Sequence, residues 1–298
     1  MNNNYLTPSE IAKYTIQSGI KKVRSSAGVL LVLGILAGAF IAFASEGANM
    51  AAFNLLVNPE TYGLGKALAG AIFSTGLILV LIAGGELFTG NTLVILGVLD
   101  KKITMMQMLR NWLLVYIGNF LGSLFIAYAI NKTGQLASGA NLLGALTIKL
   151  AVHKVELGFY SAFLLGILCN WLVCLAVWMS YGAKDITGKI WATFFPIWLF
   201  ITSGFEHCVA NMYYIPAGLF AKENAGLASA AGTLGISAEH LARLTWKNFL
   251  IRNLLPVTLG NIVGGAVFVG LAYWFVYIKN QKQDKPLKEN EQVAVAKR

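Results

Sequence analysis

An all-α membrane protein, with six transmembrane helices in an inverted 3+3 repeat, is the fold class this sequence predicts. Three observations carry it: where the charges fall, an internal repeat, and two polar interruptions at matching places. Of 298 residues, 57% are hydrophobic and 12% are charged, with a mean hydropathy of +0.65. A soluble domain of this length carries about twice that charged fraction.

Segments 25–45, 67–85, 111–130, 157–183, 190–205 and 253–278 contain no Asp, Glu, Lys or Arg. Each approaches or exceeds the roughly 20 residues that cross a bilayer, so six crossings are expected. The polar, basic start "MNNNYLTPSEIAKY" runs into the first span without a small-residue cleavage site, so no cleavable signal peptide is expected. Residues 1–24 are read as a cytoplasmic segment, 25–278 as the six-span domain, and 279–298 as a charged, disordered cytoplasmic tail.

Topology accounts for the net charge of +10. With the N-terminus inside, fifteen of the 23 Lys and Arg residues lie on inner segments, as the positive-inside rule requires. Both termini are then cytoplasmic in a multi-pass inner or plasma membrane protein. A basic patch for anionic lipid or nucleic acid is the alternative reading; no nucleic-acid partner is expected. The three cysteines, Cys169, Cys174 and Cys208, lie in apolar runs and read as buried, unpaired and structural. Neither metal nor cofactor is implied.

The repeat is visible in "RNWLLVYIGNFLG" from Arg110, which matches "RNLLPVTLGNIVG" from Arg252 without a gap. Arg110/Arg252, Asn111/Asn253, Leu113/Leu255, Val115/Val257, Gly118/Gly260, Asn119/Asn261 and Gly122/Gly264 coincide. "LGIL" recurs at Leu33 and Leu165. Spans one to three (25–130) therefore pair with spans four to six (157–278), and an odd number of spans per half inverts the second. Chance likeness between Leu/Gly-rich helices is the competing explanation. The glycine pairs are small-xxx-small seams that let helices approach closely.

The second and fifth spans carry the interruptions. Segment 67–99 holds one charge, Glu86, in "GGELFTGNT"; segment 190–221 holds Glu206, with His207 beside it, in "SGFEH". Both are too long for one crossing and too short for two, so each is expected to break into two half-helices at membrane depth. Irregular backbone survives there only against protein or a cavity. Paired breaks in two repeats point to a translocation site.

His207 is the functional candidate, since a titratable group at mid-membrane is costly; a neutral histidine tying the break together is the alternative. Glu86 and Glu206 are expected to satisfy exposed backbone amides at the half-helix starts. Thr89, Asn91, Asn170 and Asn211 can hydrogen-bond nearby. Phe73, Leu77, Phe88, Val173 and Phe200 are pore candidates that could equally be packing. Lys154, just before the fourth span, reads either as a snorkelling anchor or as a cation that concentrates anions.

"GGELFTGNTLV", "GILCNWLVCLAVWMS", "SGFEHCVANMYYIPAG" and "NLLPVTLGNIVGG" closely resemble the signature segments of the formate/nitrite transporter family, in register from Ala12 to Tyr277. The resemblance implies an aquaporin-like protomer, assembled as a homopentamer with one pore per subunit, that moves small monovalent anions. It places the family's central histidine on His207, its pore threonine on Thr89, its lysine on Lys154 and its asparagine on Asn170. Phe73, Val173 and Phe200 would form one constriction, and Leu77, Leu87 and Phe88 the other. Some motifs look like the nitrite branch, others like formate channels, and the mixture also suits hydrosulfide channels.

The expected activity is passive or proton-linked movement of formate, nitrite or hydrosulfide, with His207 donating a hydrogen bond or a proton. An intramembrane hydrolase built on Ser203 and His207, and a neutral-solute pore, are the rival classes. No serine-protease elbow or HExxH motif supports the first, and no Asn-Pro-Ala pair the second.

Overall fold

A computed structural model describes residues 5–280, and among them helices account for nearly all regular structure. In chain order these are α1 (Pro8–Arg24), α2 (Ala27–Leu56), α3 (Tyr62–Gly84), α4 (Phe88–Leu99), α5 (Met105–Lys132), α6 (Leu142–Glu156), α7 (Phe159–Gly182), α8 (Ile186–Thr202), α9 (Cys208–Ala221), α10 (Ala225–Thr233), α11 (Ala238–Arg243) and α12 (Trp246–Lys279). Of these, α2, α3, α5, α7 and α12 are long and apolar enough to cross a membrane. The chain expected at the fifth crossing is divided between α8 and α9, of 17 and 14 residues. The tail expected from Lys279 onward lies outside the described residues except for its first two, and Lys279 ends α12.

The N-terminal segment is an ordered helix. Pro8 takes the first position of α1, where a missing N–H costs nothing, and the Thr7 N–H donates to Glu10 Oε2 at 2.7 Å. Ile11, Ile16 and Val23 bury one face of α1, which packs beside α4 and α7.

Two helix pairs form the frame: α2 with α5, and α7 with α12. Their seams are glycines. A Cβ at Gly118 would stand 2.8 Å from the Leu31 carbonyl and 2.9 Å from the Gly34 Cα. Cβ atoms at Gly122, Gly260 and Gly264 would overlap the carbonyls of Ile35, Phe163 and Ile167. Without an aqueous hydrophobic drive between helices in lipid, such backbone proximity provides much of the association.

The interruptions fall where the polar residues foretold them. Between α3 and α4 the chain is non-helical from Gly85 to Leu87, and between α8 and α9 it turns through Gly204 to His207. Gly84 and Gly204 take φ of +101° and +76°, a region costly for a side chain with a Cβ. The divisions are unequal: α3 has 23 residues, whereas α4 is a short helix. The first piece of that span is therefore a full-length helix.

Candidate functional site

The two short helices that follow the breaks begin against one another. Thr89, in the first turn of α4, and His207, the N-cap of α9, meet at 2.9 Å between Oγ1 and Nε2, with both residues buried. The His207 Nδ1 accepts the Ala210 backbone N–H at 3.1 Å. A nitrogen that accepts carries no proton, so the ring is neutral with its proton on Nε2. Nε2 then donates to Thr89, whose hydroxyl hydrogen is left to donate elsewhere. Both ring nitrogens are engaged and neither bonds Ser203, so no nucleophile–base pair exists there.

Beside this pair lies a small cavity lined by Ile41, Phe73, Leu77, Leu87, Val173, Ile197, Phe200 and His207. His207 is its single polar member. Phe73 and Phe200 meet edge-to-face at 5.7 Å, and the His207 ring stands 6.0 Å from that of Phe200. Phe88 is outside this lining; its ring packs on Tyr116 at 4.9 Å and Trp112 at 6.0 Å. Ile41 and Ile197 join the wall although the sequence marks them no differently from their apolar neighbours.

A polar network supports each break. Lys154 Nζ donates to Glu206 Oε1 at 2.7 Å, while Glu206 Oε2 accepts from Asn211 at 2.6 Å and Asn253 at 3.3 Å. Asn211 also donates to Asn253 Oδ1 at 2.7 Å. At the other break, Lys22 Nζ reaches both Glu86 oxygens at 2.8 Å and Asn91 Oδ1 at 2.9 Å. Asn91 in turn donates to Glu86 Oε2 and Asn111 Oδ1, at 2.6 and 2.9 Å. The clusters lie towards opposite ends of α7: Lys154 just precedes its start, and α1 meets its end where Ser18 and Tyr181 share a 3.4 Å contact.

These contacts correct the role expected for the glutamates. Their carboxylates receive lysine and asparagine donors, and the break amides are served by two other asparagines. Asn119 Oδ1 accepts the Phe88 N–H at 2.9 Å, and its Nδ2 donates to the Gly34 and Glu86 carbonyls at 2.8 and 2.9 Å. Asn261 repeats this with the Cys208 N–H at 2.9 Å and the Gly166 and Glu206 carbonyls at 2.8 and 3.0 Å. Backbone bonds Glu86 N–H to Leu33 and Glu206 N–H to Leu165 complete the match. Asn119 and Asn261 had stood in the sequence as coinciding positions of the repeat, which was the available signal. Lys22, counted there only as an inner positive charge, is the counterpart of Lys154.

Asn170 is buried on α7 and donates to the Asn261 carbonyl at 2.6 Å and to the Thr89 carbonyl and Thr92 Oγ1 at 3.2 Å. It thus holds the start of α4 rather than lining the cavity. Cys169, Cys174 and Cys208 are buried and free, and Cys174 Sγ lies 3.3 Å from Thr92 Oγ1. Among the described residues no group of His, Cys, Asp and Glu could hold a metal ion.

Comparison with known proteins gives a consistent result. The family profile "Formate/nitrite transporter" matches residues 9–275. The probable formate transporter of Methanothermobacter thermautotrophicus is 40% identical over 293 residues, covering 94% of this chain and all of the relative. The formate channel FocA of Haemophilus influenzae is 41% identical, covering 89% and 93%. Among solved structures, a pentameric formate channel with formate bound superposes with a TM-score of 0.74 at 40% identity, covering 85% of this chain and 98% of that one. An FNT family ion channel gives 0.73 at 31% identity.

Proposed function

The chain belongs to the formate/nitrite transporter family, and on that premise we propose that it is a formate channel in which His207 and Thr89 serve the permeating species. It is a membrane transport protein, and its named relatives are transporters and channels rather than enzymes. The observation that carries the reading is the buried Thr89–His207 contact at the wall of an otherwise apolar cavity.

The chemistry follows from that contact. A bare carboxylate entering an apolar cavity loses its hydration at a cost of many kcal/mol. Formate meets that barrier most cheaply by taking a proton from the entrance water and crossing as the neutral acid. Within the cavity the carboxyl group meets His207, the one polar side chain of the wall, whose Nε2–H is shared with the Thr89 hydroxyl behind it. His207 supplies a hydrogen bond and not the proton: losing Nε2–H while Nδ1 accepts from Ala210 would leave an imidazolate. The Phe73/Phe200 pair and Leu77/Leu87 shut out larger solutes.

The same reading has the protein as a homopentamer, as in the solved formate channel, with six spans in an inverted 3+3 repeat and both termini cytoplasmic. The matched Asn119 and Asn261 brackets and the matched lysine–glutamate pairs support the repeat. Proteoliposomes loaded with a pH dye test the function: an imposed formate gradient should drive coupled acidification, far above empty liposomes and lost in His207→Ala. Nitrite and hydrosulfide, run alongside, test the choice of anion. Flux of formate without proton movement would overturn the neutral-acid route, and absence of flux would overturn the channel reading.

A further inference from the structure

The two halves correspond at an offset that is fixed within each matched span and changes from one span to the next: Lys22 with Lys154, then Gly84 with Gly204, Glu86 with Glu206 and Leu87 with His207, then Asn111 with Asn253. Lys66, beside the second break, has no charged counterpart. It is the fifth residue of α3 and occupies the place that Ile186 holds at the start of α8. Its Nζ lies 3.7 Å from where a Cβ on Gly204 would stand, whereas nothing lies within 4 Å of the same point on Gly84. Lys66 interacts electrostatically with Lys154 and Glu206.

Charge at the two mouths therefore differs. At the first break the Lys22 ammonium meets the Glu86 carboxylate, and the pair sums to zero. At the second, Glu206 accepts from Lys154 on one oxygen and from two asparagines on the other, so its acceptors are taken. Lys154 is thus neutralised by Glu206 and partly covered by the Tyr214 ring, 5.3 Å from Nζ. Lys66 is half-buried, with no hydrogen-bond acceptor or carboxylate on it among the described residues. Lys66, Lys154 and Glu206 together therefore carry one positive charge in excess.

Building on the anion-channel reading above, we propose that Lys66, rather than Lys154, captures the anion at the Lys154–Glu206 mouth. A single charge at a cleft with low-dielectric walls raises the local concentration of a monovalent anion, and the gain vanishes when salt screens it. Gly204 belongs to the same device, since its missing side chain leaves the ammonium open beside the break. Lys66 is a positioning residue for entry and takes no part in the step at His207.

The test is formate flux in proteoliposomes over a range of formate concentrations, at about 10 mM and about 1 M of an inert salt, where the screening length falls from roughly 30 to 3 Å. Wild-type flux should half-saturate at about three- to tenfold lower formate in low salt than in high salt, a modest part of the range for electrostatic focusing. Lys66→Gln should lose that salt dependence and keep the maximal rate, Lys66→Arg should retain both, and Lys66→Glu should reverse the dependence. A merely structural lysine would change the maximal rate or the yield of folded protein and leave the salt dependence in place. Wild-type flux that is independent of salt overturns the Lys66 assignment without any variant, as does a Lys66→Gln curve identical to wild type. Absence of wild-type flux instead overturns the channel reading on which the assignment rests.

Discussion

At the first break the residue just before the short helix is Leu87, which closes the cavity with a branched apolar side chain; at the second the corresponding residue is His207. The polar groups that support the two breaks are paired. Asn119 and Asn261 bracket the breaks with the same three hydrogen bonds, and a lysine, a glutamate and two asparagines support each one. Ile41 with Val173, and Leu77 with Ile197, face the cavity from corresponding places. The repeated residues build a frame that holds non-helical backbone inside apolar surroundings, a need common to both halves. Two of the differences between the halves fall at the cavity or beside the second break: Leu87 against His207, and Ile186 against Lys66. On the function proposed above, the residues that serve the permeating species are departures from that symmetry.

The largest expected effect comes from erasing the difference. His207→Leu makes the two corresponding positions alike, and formate flux should fall by about 100-fold or more, the scale of losing a positioned hydrogen-bond donor. Flux in proteoliposomes checks this; a variant conducting at the wild-type rate would show that the asymmetry at this position is incidental.

Next come the paired ions. Glu206→Gln leaves the Lys154 ammonium without its counter-charge and should cost about 3–5 kcal/mol of stability. Glu86→Gln should cost roughly half as much after allowance for solvent, because Lys22 is more exposed than Lys154, 20% against 14%, and keeps Asn91 as a second acceptor. Unfolding in graded denaturing detergent measures both, and equal losses would contradict this ranking.

The asparagine brackets sharpen the comparison differently, since here the halves should respond alike. Asn119→Ala and Asn261→Ala each orphan one N–H and one break carbonyl and remove a second bond from a helical carbonyl, and each should lose about 2–3 kcal/mol. Losses that differ by more than about 1 kcal/mol would mean that the apparent equivalence hides different packing.

The smallest effect belongs to the seams. Gly118→Ala and Gly260→Ala should each cost about 1–2 kcal/mol by forcing α2 from α5 and α7 from α12. The Tm in detergent should drop in both cases, and an unchanged value would show that these helix pairs can separate freely.

Much of this frame was legible in the chain. Charge-free segments located the long helices, and isolated polar residues in "GGELFTG" and "SGFEH" located the breaks, because a charge inside lipid must have a partner. The repeated Arg-Asn-x-Leu and Gly-Asn-x-x-Gly patterns exposed the pairing of α5 with α12. Partnership was less legible. Glu86 looks like a helix-start carboxylate until α1 is seen to bring Lys22 onto it, and nothing local to Asn119 indicates that it bonds across to Gly34 and Phe88.

Composition and period alone determined that the chain crosses a membrane, how its halves correspond and where its backbone breaks, since each follows from burying a polar main chain in an apolar medium. Tertiary structure decided which donors meet which acceptors. The Thr89–His207 contact, the neutral tautomer set by Ala210, the eight-residue cavity wall and the place of Lys66 beside Gly204 depend on helix rotation and depth. Those are set by glycine seams and asparagine brackets acting between distant segments, so a one-dimensional pattern could name the participants without assigning their partners.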